Sequence, residues 1–185
     1  MENRKAFLLK RSGAWLVTII IIIAFSLFAV NMSLGARMNN VSDLFYEGVN
    51  GNKAIADLLK ERCDASLVLI KASERISAVS EGAQTLDSAR AELLAMLREK
   101  ASPSALYDAN TRLDDAFSDL YSGLTAHSLT AGETADIKAA QKRMANAADA
   151  INSAGYNEVA GDFDDDFFTN FLMKICLAKR PEPFK

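Results

Sequence analysis

From Ser12 to Ala36 no charged residue interrupts the chain, and Ala14 to Val30 is almost purely apolar. A helix crossing a ~30 Å hydrocarbon layer needs about 20 such residues. The pattern therefore predicts a membrane-spanning helix over 12–36. Past it, apolar positions recur at spacings of three and four, which is helical period. Val41, Leu44 and Phe45 continue from the span. Ile55, Leu58, Leu59, Arg62 and Cys63 form a first stripe. Gly48, Asn50 and Gly51 weaken the helix between them, as a joint or as a cost inside one continuous helix.

A second stripe runs Ile76, Val79, Ala83, Leu86, Arg90, Leu93, Leu97, with Leu67 and Ile70 extending it backwards and a turn near Cys63–Ser66. Ser102-Pro103 reads as a stop and a fresh start, with Ser as N-cap and Pro at the first helical position. The third stripe is Leu106, Asn110, Leu113, Phe117, Leu120, Leu124. Thr130 and Glu133 have capping-box spacing. The fourth stripe is Ile137, Ala140, Met144, Ala147, Ala148, Ile151, Ala154, Gly155, Val159. Its small residues predict the helix most tightly packed by the others. No segment alternates with period two for long enough to propose a sheet. Phe167, Phe168, Phe171, Leu172, Ile175 and Cys176 predict a short amphipathic helix, closed off by Pro181 and Pro183. The expected fold class is all-α: a single N-terminal transmembrane helix, then an antiparallel long-helix bundle of the four-helix type. The expected division is a cytoplasmic N-terminus at 1–11, the span at 12–36, the bundle at 37–166 and an amphipathic tail, packed on the bundle, at 167–185.

Charge adds orientation. Arg4, Lys5, Lys10 and Arg11 precede the span, whereas only Arg37 and Lys53 follow closely. The positive-inside rule puts the N-terminus in the cytoplasm and the body outside it. A cleavable signal peptide is the alternative, with Ser33-Leu34-Gly35 as its site. The apolar run exceeds the ~7–15 residues of a signal h-region, which favours a retained signal-anchor. Residues 1–36 carry a net +3 and the body −6. An acidic body argues against nucleic acid, which wants a concentrated basic face.

Candidate chemistry is sparse. His127 is the only histidine, and it falls in a joint between stripes. There is no nucleophile elbow, no phosphate-cradling Gly-rich loop and no Cys-x-x-Cys pair. Asp162, Asp164 and Asp166 match the first three ligand positions of a calcium loop. Phe167 then stands where that loop needs Gly, and Met173 where it needs Glu. A solvated acidic corner is the better reading. Cys63 and Cys176 lack metal-like spacing and read as small apolar core residues, although an exported protein allows them to pair. Arg62, Arg90 and Asn110 interrupt apolar stripes. They either form a buried polar cluster that binds something, or satisfy one another and carboxylates such as Asp64. The structural reading is preferred. No catalytic residue, metal ligand or cofactor site is assigned, and no enzyme is expected.

Several short motifs carry a family likeness. Asn39, Val41, Leu44, Ile55, Leu59, Arg62 and Asp64 follow the span, with Leu69 in register. Ile151 precedes Tyr156-Asn157-Glu158-Val159. Phe163-Asp164, Thr169-Asn170-Phe171-Leu172 and Lys179-Arg180-Pro181-Glu182-Pro183-Phe184 come later. In these the chain resembles a divergent member of the LemA family: a basic N-terminus, one span, then long helices. It departs from that pattern at Met38, at Leu67-Val68 and at Asp164, and 102–130 has little counterpart. The resemblance implies a bacterial single-pass membrane protein of unestablished biochemical role and supplies no catalytic residue.

Anchor, helical body and missing catalytic constellation together predict a membrane-anchored interaction or scaffolding module of the cell envelope. Its partners are membrane lipid, through the N-terminal helix, and an unknown protein or a second copy. The alternative is an extracytoplasmic ligand-sensing bundle, which would act through a partner because no second span follows. The candidate interaction surface is Tyr156, Asn157, Phe163, Phe171 and Phe184. The reason is that aromatic residues burying ~150–250 Å² each are a large apolar load for a short terminal piece.

Overall fold

The computed structural model describes residues 11–48, 53–165, 174 and 181–185. The chain divides into two units, one made of 1–40 with 163–180, the other of 41–162 with 181–185. Helix α1, Arg11–Tyr46, starts in the first and ends in the second. In its first two thirds large apolar side chains stand exposed: Trp15, Ile20, Ile22, Phe25, Phe28 and Met32, with Phe25 at 71%. Water does not tolerate an apolar surface of that extent. Thr18, within this apolar stretch, returns its hydroxyl to the Ala14 carbonyl at 2.9 Å. This helix is long and apolar enough to cross a membrane.

The second unit is a helical bundle, with no strand among the described residues. Beyond the last turns of α1 it comprises α2 (Ile55–Ser73), a 3-10 turn (Ser77–Val79), α3 (Ser80–Arg98), α4 (Pro103–Thr125), α5 (Ala131–Ser153) and, as far as Asp162, α6 (Tyr156–Asp165). The starts of α4 and α5 follow local chemistry. Ser102 caps α4 by accepting from the Ala105 N–H, with Pro103 at the first position. Thr130 and Glu133 cap α5 reciprocally: the Thr130 N–H donates to Glu133 Oε2 at 2.9 Å, and the Glu133 N–H to Thr130 Oγ1 at 3.2 Å. Each arrangement satisfies N–H groups that a helix start leaves without partners.

The stripes form the core. Leu59, Cys63 and Leu69 of α2, Leu86 and Leu93 of α3, Leu106, Leu113, Leu120 and Leu124 of α4, and Ile137 of α5 are buried. Each such side chain is worth roughly 1.5–3 kcal/mol removed from water. Helices α3 and α4 run antiparallel. Arg112 holds Glu92 through two hydrogen bonds, and Gly82 faces Leu120 further along. At the end of this pair, a Cβ on Gly123 would come 3.1 Å from Val79 Cγ1, so the missing side chain lets the 3-10 turn close on α4. Helices α2 and α5 are antiparallel as well: Arg75, just past α2, bonds Glu133 at the start of α5, and Arg62 borders the cleft beside Met144.

Three expectations need correcting. Helix α2 passes through Cys63–Ser66 without a turn. Ser66 donates its hydroxyl back to the Cys63 carbonyl at 2.7 Å, so it competes with nothing, and no Gly or Pro lies there to break the helix. The break comes at Glu74–Ile76. The fourth stripe is not one helix to Val159: Gly155 takes a left-handed φ of +69° and separates α5 from α6. Nor is α5 the most enclosed helix. It packs along α2 and has little contact with α3 or α4. The small residues do permit close approach, but to one neighbour. The central helix is α2, which meets α3, α4 and α5.

Candidate functional site

The second unit closes around an aromatic socket. Tyr156 and Asn157 open α6 immediately after the turn at Gly155. The carboxamide of Asn157 reads the backbone of Phe184 from both sides. Its Nδ2 donates to the Phe184 carbonyl at 2.9 Å, and the Phe184 N–H donates to its Oδ1 at 2.7 Å. This is the pairing an adjacent β-strand would offer, made by one side chain. The Tyr156 hydroxyl donates to the Glu182 carbonyl at 2.8 Å. Ser104, in the first turn of α4, donates to the Glu182 carboxylate at 2.5 Å.

The Phe184 side chain fills the socket. Its ring lies 5.7 Å from that of Phe45 at the end of α1 and 5.4 Å, edge-on, from that of Tyr107 on α4. Phe45 in turn meets Tyr156 edge-on at 5.2 Å. Phe45, Tyr156 and Phe184 are 5% exposed or less. Edge-to-face rings at these distances add about 0.5–1.5 kcal/mol per pair beyond area burial. Burial pushes the Tyr156 phenol up to about 12, helped by Tyr46 and the Glu182 carboxylate, so it is a donor throughout the neutral range. Tyr46 extends the wall. Its hydroxyl donates to the Ala101 carbonyl at 2.9 Å, and the Lys100 ammonium stands 5.4 Å from its ring centroid.

Of the five residues expected to form an interaction surface, Tyr156, Asn157 and Phe184 thus meet in one place. Tyr156, which is buried, and Asn157, which is exposed, hold the 181–185 segment. The Phe163 side chain and Phe171 lie outside the described residues, as does the expected amphipathic helix at 167–176 apart from Lys174. Sequence reasoning missed Ser104 and Tyr107. Tyr107 sits next to Leu106 of the third stripe, so the only signal was an aromatic residue beside a core position.

A second feature lies across α2. Arg62 is 4% exposed, and its guanidinium pairs with Asp114 of α4 rather than with Asp64. Among the described residues its Nε–H has no partner, nor does Asn110 Oδ1 one turn before Asp114. Burial pulls the Arg62 guanidinium down to about 10. Arg90 donates from Nε to the Cys63 carbonyl at 3.2 Å and also approaches Asp87. Of the three polar residues on apolar stripes, Arg62 and Arg90 are therefore tied to separate groups. Burial raises the Cys63 thiol to about 11, which makes it a core residue and a poor nucleophile.

The acidic run is helical: Asp162 to Asp165 belong to α6, which gives no loop through its first ligand positions. His127 is exposed just past α4. No family model, no curated protein and no solved structure matches the chain.

Proposed function

We propose that the protein is a membrane-anchored interaction module of the bacterial cell envelope, of LemA type. Helix α1 is the anchor, with its basic N-terminal flank in the cytoplasm and the bundle outside it. The observation that carries the reading is the socket. It grips an extended peptide through backbone atoms at Glu182 and Phe184 and seats one aromatic side chain. Backbone pairing supplies affinity that does not depend on sequence, while the ring pocket supplies selectivity, the division of labour used in strand-like peptide recognition. Among the described residues no group of three or more His, Cys, Asp or Glu side chains is placed to hold a metal ion.

In this reading the 181–185 segment is the resident occupant, and a Pro-x-Pro-Phe segment of a partner or a second copy is the alternative one. A photo-reactive phenylalanine at position 107, beside the socket, tests this in native membranes. Phe184→Ser empties the socket and should raise cross-linking to a neighbouring chain several-fold. Identical cross-link patterns with and without Phe184 would remove the interaction reading.

A further inference from the structure

Helices α4 and α5 do not close on each other, and a cleft of about 400 Å³ opens between them over α2. Its floor and its mouth differ in charge. At the floor lies the buried Arg62 guanidinium, whose Nε–H has no acceptor among the described residues. At the mouth stand Asp114, half exposed and already bonded to Arg62, and the exposed Asp115. The walls are apolar: Phe117 and Met144 are buried, and the Phe117 and Tyr121 rings lie nearly parallel at 6.4 Å. Gln141 offers both a donor and an acceptor at the α5 edge.

A guanidinium held away from water needs acceptors, and a carboxylate meets its N–H groups best. A simple anion, however, must pass two carboxylates at the entrance. A simple cation suits the entrance but meets Arg62 at the floor. A small molecule with a carboxylate at one end and an ammonium next to it satisfies both. We propose that this cleft binds a free α-amino acid, with its carboxylate toward Arg62, its ammonium between Asp114 and Asp115, and its side chain along Met144 and the ring pair. The volume fits a molecule of that size and excludes a folded partner. The inference is independent of the peptide socket, which lies among other residues, so either can fail alone.

The test is a thermal-shift screen of the full chain in phosphatidylcholine nanodiscs against the twenty L-amino acids, followed by calorimetric titration of the best one. At least one amino acid should raise the midpoint and bind one to one. Its N-acetyl and carboxamide derivatives should each bind at least tenfold more weakly. Asp115→Asn, at an exposed position, should leave the midpoint without ligand unchanged and weaken binding tenfold or more. Arg62→Met should abolish binding. Absence of any shift at millimolar concentration overturns the proposal. So does a carboxamide that binds as well as the free acid, which would mark a cation site at the acidic mouth. Binding that Asp115→Asn leaves unaltered would also overturn it.

Discussion

Asn157 binds the main chain of Phe184 through both ends of its carboxamide, at 2.9 and 2.7 Å. One side chain thereby fixes the position of a ring that touches α1 and α4. Removing it leaves a part-buried N–H and a carbonyl without partners, which costs about 1–3 kcal/mol. Asn157→Ala should therefore lower the melting temperature by several degrees. Phe184→Ala, which also empties the aromatic socket, should cost more, about 3–5 kcal/mol. The double variant should lose less than the two single losses added, because both act on one contact. Denaturation of the three variants in nanodiscs checks this. Simple additivity would mean that the amide and the ring do not work together.

Tyr156 links the same contact to pH. Its phenol is raised to about 12 in the folded chain, against 10 when exposed. The folded state then holds the proton more tightly, so this contribution is complete below pH 10 and is lost as pH rises toward 12. Tyr156→Phe removes the hydrogen bond to Glu182, for a loss of about 1 kcal/mol at pH 8. The gap in stability between wild type and Tyr156→Phe should narrow steadily between pH 10 and 12. A gap constant across that window would contradict the buried-donor role.

Gly155 sets where α6 begins. Its φ of +69° is one an L side chain adopts only at a cost, and no atom lies near where its Cβ would stand. Gly155→Ala should therefore cost about 1 kcal/mol through backbone conformation alone. Gly155→Asn should recover part of that loss. Chemical denaturation measures both, and a stabilising Gly155→Ala would argue that the turn is not needed.

Arg62 and Asp114 should respond unequally. Asp114→Ala strands a cation that is 4% exposed, at a cost of about 2 kcal/mol once the half-exposure of the carboxylate is allowed for. Arg62→Met removes the buried charge and leaves a carboxylate that water can reach. It should cost clearly less. Equal losses from the two variants would point to the pair itself, rather than to desolvation of Arg62, as the source of the energy.

The parts of this fold legible in the sequence are the local ones. Ser102-Pro103 and Thr130-x-x-Glu133 act within one helical turn, so their spacing alone carries the geometry. The break at Gly155 was hidden by its neighbours, since Ala154 and Gly155 also suit a tightly packed stripe. The continuity of α2 was not legible because the first and second stripes meet near Cys63–Ser66, where Ser66 in fact bonds the Cys63 carbonyl within the helix. The socket was half legible. Tyr156, Asn157 and Phe184 stood out as a motif and an aromatic load. Their partners Phe45 and Tyr107 did not, because pairings far apart along the chain leave no mark on either segment. For the same reason Asp64, two residues on in sequence, looked a natural partner of Arg62, whereas the fold supplies Asp114.

The central claim is that the socket is a peptide-recognition site which the 181–185 segment occupies. A chain ending at Arg180, held in nanodiscs, should bind a fluorescent Arg-Pro-Glu-Pro-Phe-Lys peptide saturably in an anisotropy titration. The same peptide with Ala for Phe, and the same chain carrying Asn157→Ala, should each bind at least tenfold more weakly. No saturable binding by a shortened chain whose helical circular dichroism is intact, or equal binding of the Phe and Ala peptides, would contradict the account.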